Sequence, residues 1–293
     1  MKAGLIAVVG RPSSGKSTLL NRICGHKVSI TAPSPQTTRN TVRGIFTDER
    51  GQLVFLDTPG YHNSERKFNI YMKNLARSTL QECDLVLYII DAHRVPGPEE
   101  EELMKLLQES KHPVVTAINK IDLNPAGEAL GRLQKELRAH LPDSPVHAIS
   151  ALTGDGVEEL MQTLFGSAPE GELMYPEEYY TDQEPEFRIS EVIRENAVNR
   201  VRQELPHSIY VEIEDLEARE EEQLLWIRAV INVERESQKG MLVGKKGAMI
   251  KQIRKESERE LAEIFPYRIQ LDLRVKVDPK WRRKDQLLKR LIY

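Results

Sequence analysis

The chain has 293 residues, 40% hydrophobic and 30% charged, which is too long for one small domain and predicts two. No apolar run approaches the roughly 20 residues that cross a bilayer, and the short run after Met1-Lys2-Ala3-Gly4 does not read as a signal peptide. Two distant cysteines, Cys24 and Cys83, give no disulfide framework and fit a reducing, cytoplasmic setting, and the seven histidines show no metal-ligand spacing.

Taken in order, apolar runs at 5–9, 53–56, 85–90, 114–118 and 146–149 read as buried strands. Helical patterns lie between them at 16–24, 67–81, 98–109, 128–139 and 157–165. This alternation predicts an α/β fold with a mostly parallel sheet and helices on both faces. Ligands of such sheets bind at the carboxyl ends of the strands. Breakers and acidic, tyrosine-rich sequence follow, so the expected division is a first domain at 1–168, a linker at 169–185 and a second domain at 186–293. The second domain reads as a smaller α+β unit: helix 186–203, strands 208–216 and 224–234, a short helix 238–243, a long helix to 264, strand 267–277 and a basic C-terminal helix.

Gly10-Arg11-Pro12-Ser13-Ser14-Gly15-Lys16-Ser17 matches G-x-x-x-x-G-K-S between a strand and a helix, the setting that gives the motif meaning. Glycines let backbone N–H groups turn toward phosphate oxygens, and the helix N-terminus adds partial positive charge. Lys16 offers an ammonium to the β- and γ-phosphates, Ser17 a hydroxyl to Mg²⁺, and Thr18 continues this nucleotide-binding set. Asp57-Thr58-Pro59-Gly60, followed by Tyr61, ends the strand at 53–56. Its carboxylate can hold Mg²⁺ through water and the Gly60 N–H can approach a γ-phosphate. Between these motifs, Pro35-Gln36-Thr37-Thr38-Arg39 should bring one threonine to Mg²⁺ in the GTP state; Thr38 is favoured, though spacing alone does not choose it over Thr37. Lys16, Thr38 and Gly60 form the expected catalytic set, and Ser17, Thr38 and Asp57 the expected metal set.

Asn119-Lys120-Ile121-Asp122 decides the base. Asp122 can accept the N1–H and exocyclic amine of guanine, whereas adenine would leave it desolvated and unpaired, a mismatch worth about 10⁴-fold. Lys120 can pack its stem over the base, and Ser150-Ala151-Leu152 supplies a backbone contact to O6. The set opposes an ATP-using metabolic enzyme and resembles the translation-factor-like branch of P-loop GTPases. In that comparison Tyr61 stands where small signalling GTPases carry a water-orienting glutamine, so unassisted hydrolysis on the order of 10⁻³ s⁻¹ or below is expected. Ser13 stands where relatives often carry an asparagine that helps bind an activating K⁺, which puts potassium activation in question.

Gly244-Lys245-Lys246-Gly247 is a weak signal alone. Set before a long helix and within this order of elements, it resembles a type II KH domain, whose G-x-x-G loop clamps about four nucleotides of single-stranded RNA. Lys245, Lys246, Lys251, Arg282 and Arg283 are the expected phosphate partners. Residues 235–259 hold eight Lys or Arg against three Glu, and 274–293 hold eight against two Asp. Residues 211–223 instead hold seven acidic residues and one Arg. Trp281, ahead of Arg282-Arg283-Lys284, reads either as a base-stacking aromatic or, by preference, as packing for the last helix.

Taken together, both halves resemble the bacterial Era GTPases, through Gly10 to Ser17, Gln36 to Asn40, Asp57 to Gly60, Asn119 to Asp122, Ser150 to Leu152, Val243-Gly244-Lys245-Lys246-Gly247 and the ending Val275-Lys276-Val277-Asp278-Pro279-Lys280-Trp281-Arg282. The resemblance implies a GTPase that uses Mg²⁺, binds the 3′ region of 16S ribosomal RNA through the KH domain and assists small ribosomal subunit assembly. It also implies peripheral inner-membrane contact for some members; a monomer is expected. The alternative is a GTPase switch whose second domain binds protein or anionic membrane. In the physical scheme, γ-phosphate and Mg²⁺ order the segments around Thr38 and after Gly60, and so change RNA affinity between the GTP and GDP states.

Overall fold

In the computed structural model, which describes residues 1–31, 40–58, 78–123, 127–201 and 208–291, the first half forms a six-stranded sheet. Strands β1 (Lys2–Val9), β2 (Val42–Asp48), β3 (Gly51–Asp57), β4 (Leu85–Asp91), β5 (Val114–Asn119) and β6 (Val146–Ile149) take the order β2-β3-β1-β4-β5-β6. Only β2 runs antiparallel to its neighbour. Helices α1 (Lys16–Cys24), α2 (Pro98–Gln108), α3 (Gly127–His140) and α4 (Val157–Ser167) cover the sheet. Leu103, Leu107, Leu133 and Leu137 of α2 and α3 pack on the face lined by Ala7, Val86, Tyr88 and Ile118. Leu19, Leu20, Leu160 and Leu164 bury α1 and α4 on the opposite face. Sandwiched in this way, β3 and β4 are buried along their whole length, which is why they read as unbroken apolar runs.

Strand β2 was not among the expected strands. It lies at the sheet edge, where Arg43, Thr47 and Asp48 interrupt any apolar run. It is held by a hairpin to β3 that closes at Gly51, whose φ of 139° and 1.8 Å approach of a hypothetical Cβ to the Lys2 carbonyl oxygen both require glycine. The expected helix at 67–81 lies mostly outside the described residues; 78–82 are helical.

The stretch expected as a linker is bound to the first unit as far as Asp182. The Ala3 N–H donates to the Pro169 carbonyl at 3.0 Å and the Gly171 N–H to the Met1 carbonyl at 3.0 Å. Fully buried Gln52 brackets the strap: its Nε2 donates to the Tyr175 carbonyl at 2.9 Å, and its Oε1 accepts the Met174 and Tyr175 N–H groups at 2.9 Å each. Further on, the Ile45 N–H donates to the Tyr180 carbonyl at 2.9 Å, the Thr181 hydroxyl to the Arg43 carbonyl at 2.8 Å, and Arg43 pairs with Asp182 at 2.8 Å. The strap thus occupies hydrogen-bonding groups of an edge strand that would otherwise be a template for pairing.

Residues Gln183–Arg290 form a second unit. Its sheet has the order β7-β8-β9, from Tyr210–Arg219, Leu224–Val233 and Arg268–Val277, antiparallel at the first pair and parallel at the second. The parallel pair requires a crossover, made by α6 (Glu236–Val243) and α7 (Ala248–Ile264). Ile189 and Ile193 of α5 (Pro185–Val198) meet Ile227, Ile231, Ile253 and Leu261 in one core. Helix α5 ends five residues before the expected limit at 203, and 202–207 lie outside the described residues. Trp281 is fully buried ahead of α8 (Asp285–Leu291), donates its Nε1–H to the Ser208 carbonyl at 2.9 Å and meets the Tyr210 ring edge-on at 5.0 Å. It is a packing residue, and the base-stacking reading falls.

Gln52→Leu should remove the bracket without changing volume much and leave strap amides unsatisfied, at about 1–3 kcal/mol for each buried group. Urea unfolding should therefore show a loss of at least about 2 kcal/mol in the first unit; a variant as stable as the parent would contradict the bracket's role.

Candidate nucleotide site and RNA interface

The phosphate loop runs from the end of β1 into α1. Gly10 adopts φ 156°, and a Cβ there would sit 2.3 Å from the Ile89 carbonyl oxygen. Gly15 adopts φ 102°, and a Cβ would sit 2.1 Å from Asn119 Nδ2. Both glycines are therefore demanded by close approach as well as by backbone conformation. The buried Lys16 ammonium donates to the Gly10 and Arg11 carbonyls at 3.1 and 3.0 Å. Burial pushes its pKa down to about 8, against the opposing pull of Asp57. Arg11 itself is held by α2, through Glu99 at 3.0 Å and Glu100 at 2.6 Å. Ser14 is buried within the loop, Pro12 is buried beside it, and Thr18 is half-buried on α1.

Asp57, fully buried at the end of β3, accepts hydrogen bonds at Oδ2 from Ser17 Oγ at 2.7 Å and Ser29 Oγ at 2.8 Å. Burial raises its carboxyl pKa, while Lys16, Ser17 and Ser29 oppose the rise. Its Oδ1 is buried without a hydrogen-bond partner among the described residues. A buried orphan carboxylate oxygen beside a serine hydroxyl is the hard oxygen donor set that suits Mg²⁺. Thr58 points elsewhere: its hydroxyl donates to the Val8 carbonyl at 2.8 Å inside the core. Thr37, Thr38, Pro59, Gly60 and Tyr61 lie outside the described residues.

The base-reading motif is built onto the same loop. Asn119, at the end of β5, donates from Nδ2 to the Ser14 carbonyl at 2.8 Å and accepts the Ala151 N–H at 2.9 Å. Lys120 donates to the Ser13 carbonyl at 2.8 Å. Asp122 accepts from Ser150 Oγ at 2.6 Å, and that same Oγ accepts the Thr153 N–H at 3.1 Å. Ala151 is buried and Leu152 is exposed. The structure thus brings Ser13, Ser14, Lys16, Ser17, Asp57, Asn119, Lys120, Asp122, Ser150 and Ala151 into one connected network.

Three members of this network carried no sequence motif. Asn21 accepts the Val28 and Ser29 N–H groups at 2.8 Å each and donates to the Ser29 carbonyl at 2.7 Å, fixing Ser29 beside Asp57. Arg22 donates to the Ala151 carbonyl at 3.4 Å and also to that of Leu152. Asn and Ser before a polar loop give no spacing signal, and Arg22 reads as a solvated helix residue.

In the second unit, Gly244 adopts φ 70°, with a hypothetical Cβ 2.7 Å from that of Met249, and Gly247 adopts φ 78° facing open space. Lys246 between them sits at φ 51°. Lys245, Lys246 and Lys251 are exposed at the start of α7, and Arg283 is exposed after Trp281. None of these four takes part in an ion pair among the described residues. Arg282 differs, because it is engaged by Glu234. Much of the C-terminal basic run is neutralised likewise: Arg274 pairs with Asp272 at 2.9 Å, Lys276 with Glu214 at 2.5 Å, Arg290 with Glu212 at 2.7 Å, and Lys284 with Asp278. Acids of β7 therefore serve Lys276 and Arg290, while Lys245 and Lys246 of the G-x-x-G loop keep their charge open.

Fold and site together define a P-loop protein for guanine nucleotides that carries a KH-type unit. Residues 5–120 match the family of the 50S ribosome-binding GTPase, and 204–282 match the KH domain. The GTPase Era of Treponema denticola is 47% identical over 296 aligned residues, spanning 100% of both chains. That of Borreliella burgdorferi is 48% identical over 293, again spanning 100% of both. The crystal structure of a variant of Aquifex aeolicus Era bound to GDP and AlF4⁻ superposes with a TM-score of 0.95 at 37% identity, covering 99% of this chain and 98% of that one. An Era complex with MgGDPNP and nucleotides 1506–1542 of 16S ribosomal RNA matches equally, with TM-score 0.95 and 37% identity over 99% and 98% of the two chains. The chain belongs to the Era GTPases.

A phosphate beside Lys16 holds it protonated, so binding is favoured while free Lys16 is charged. GDP affinity should be level below a pH of about 8 and fall as the pH rises through that value. Fluorescent-GDP titrations at rising pH should show the fall in the parent and a flatter profile in Lys16→Met; identical profiles would contradict the assignment.

Proposed function

We propose that the chain binds GTP with Mg²⁺, hydrolyses it to GDP and phosphate, and uses its nucleotide state to control binding of the 3′ region of 16S ribosomal RNA during small-subunit assembly. Backbone N–H groups of the loop from Gly10 to Gly15 and the Lys16 ammonium take the phosphates. Ser17 and Asp57 hold the metal ion, which neutralises charge developing on the phosphates. Asp122 reads the guanine edge, held in place by Ser150, while Lys120 lies along the base. Thr38 and Gly60 are assigned to the γ-phosphate side by their motif positions. Binding and orientation of the nucleotide by these groups supply the positioning on which phosphoryl transfer depends.

The RNA half of the proposal is carried by one observation: Lys245, Lys246 and Lys251 at the G-x-x-G loop are exposed and outside any ion pair among the described residues, while Arg274, Lys276 and Arg290 are each paired with an acid. Glycines in left-handed conformation allow a sugar-phosphate backbone to come close, and Lys245, Lys246 and Lys251 then replace its counterions. The 16S ribosomal RNA bound in the Era complex of similar structure names the RNA. Arg283, exposed and outside any ion pair among the described residues, is a further phosphate partner in this reading, and Arg282 is held by Glu234. No helix among the described residues is long and apolar enough to cross a membrane; a cytoplasmic location and a monomer are part of the proposal.

Lys245→Ala with Lys246→Ala should weaken binding of a short RNA copying the 16S 3′ end and lower the log–log salt slope by about 1.4, at about 0.7 for each single-strand phosphate contact. Arg274→Ala, whose partner is Asp272, should leave the slope unchanged. An unaltered slope in the double variant would instead favour a protein or membrane partner for the second unit.

A further inference from the structure

The turn between β4 and α2 carries no nucleotide motif, yet its charged side chains converge on the phosphate loop. Asp91, 5% exposed at the end of β4, accepts the His93 N–H at Oδ1 over 2.9 Å. Its Oδ2 accepts the Lys120 ammonium at 2.7 Å and lies 3.6 Å from Arg94 Nε. Lys120 in turn donates to the Ser13 carbonyl at 2.8 Å, and Arg94 Nη1 donates to the Pro12 carbonyl at 3.0 Å. The same turn is tied to the base motif, because the Ala92 N–H donates to the Asn119 carbonyl at 3.0 Å.

The carbonyls so engaged belong to the strained part of the loop. Ser13 sits at φ 64° and Lys120 at φ 73°, left-handed conformations that a side chain disfavours. In a trans peptide the C=O of one residue and the N–H of the next point in opposite directions. Cations on the Pro12 and Ser13 carbonyls therefore hold the Ser13 and Ser14 N–H groups facing away from Arg94 and Lys120, free to meet the phosphate oxygens that the motif assigns to this loop. The Ser14 N–H makes only a long internal bond, 3.3 Å to the Arg11 carbonyl, which a phosphate oxygen can replace. Lys120, held at its ammonium by both Asp91 and Ser13, has its aliphatic stem fixed as well, so a base packing on it meets a surface already ordered.

We propose that Asp91 is a positioning residue for guanine-nucleotide binding, which seats the Lys120 ammonium on the Ser13 carbonyl and, with Arg94, presets the phosphate-loop turn for GTP and GDP alike. The proposal rests on the reading that Lys120 and Asp122 take the base. It differs from that reading in predicting an effect on affinity that is blind to the base edge and to the γ-phosphate.

The test measures GDP and non-hydrolysable GTP affinities of the full chain as parent, D91N, R94A, K120M and the D91N/K120M double variant, with D122N as a control scored for GDP against XDP. D91N should weaken both nucleotides about tenfold, R94A about threefold, as lost charged hydrogen bonds to a built site do. At saturating GTP, kcat should change less than about twofold, the pattern of lost uniform binding. The double variant should bind no more weakly than K120M alone, because Asp91 acts through Lys120. Parent affinity in D91N, or additive losses in the double variant, would overturn the proposal. Should D91N not fold, R94A, on an exposed side chain, decides: parent affinity there overturns it. A D122N that still prefers GDP over XDP would instead overturn the base-site reading, whatever D91N does.

Discussion

One buried amide joins the parts of the nucleotide site. Asn119 reaches the phosphate loop through the Ser14 carbonyl at 2.8 Å and the last loop through the Ala151 N–H at 2.9 Å, while its own carbonyl takes the Ala92 N–H at 3.0 Å. Segments more than a hundred residues apart in sequence thus share one register. A buried amide bonded at both its nitrogen and its oxygen is costly to disturb, because any shift leaves several polar groups unpaired in a low-dielectric setting. Gly15 must be glycine for this reason as well as for its φ: the amide occupies the space a side chain would need. The sheet supplies the stiffness, since β3, β4 and β5 deliver Asp57, Asp91 and Asn119 at their carboxyl ends.

Charge is distributed by the same logic. In the first unit, ionised groups are held in place by partners: Lys16 by loop carbonyls, Arg11 by Glu99 and Glu100, Lys120 by Asp91. In the second, Arg274 and Lys276 of β9 and Arg290 of the C-terminal helix pair with acids within the unit, while Lys245 and Lys246 of the loop at Gly244–Gly247 stay exposed and outside any ion pair among the described residues. A net charge of −3 for the whole chain is therefore compatible with a local site for a polyanion.

What the sequence made legible was chemistry that demands a fixed residue type at a fixed spacing. The phosphate loop, Asp57, Asn119-Lys120-Ile121-Asp122 and the G-x-x-G turn belong to that class, as do the unbroken apolar runs of β3 and β4. Edge strand β2 was missed because a strand with one neighbour needs no apolar run, and the Gly51 hairpin that marks it is a local turn signal. The stretch after 168 read as a linker because prolines and glycines carry no periodicity; it is held by Gln52, whose separation of 123 residues from Tyr175 is invisible to any local pattern. Ser29, Arg22 and Asp91 escaped for the same reason, lying 28, 129 and 29 residues from Asp57, Ala151 and Lys120, while the short-range contacts of Asn21 follow no motif spacing. The C-terminal basic run promised more open charge than the fold leaves, in part because Lys276 and Arg290 find acidic partners on β7, 62 and 78 residues away.

In the proposed function, the nucleotide bound in one unit sets the RNA affinity of the other. Linkage makes this a reciprocal quantity: whatever factor GTP adds to RNA affinity, RNA must add to GTP affinity. The direct measurement is a thermodynamic square on the full chain with Mg²⁺, using a 3′-terminal 16S RNA and either a non-hydrolysable GTP analogue or GDP. RNA should bind at least about fivefold more tightly with the GTP analogue, and should raise preference for that analogue over GDP by the same factor. Equal RNA affinity in the two nucleotide states would contradict it.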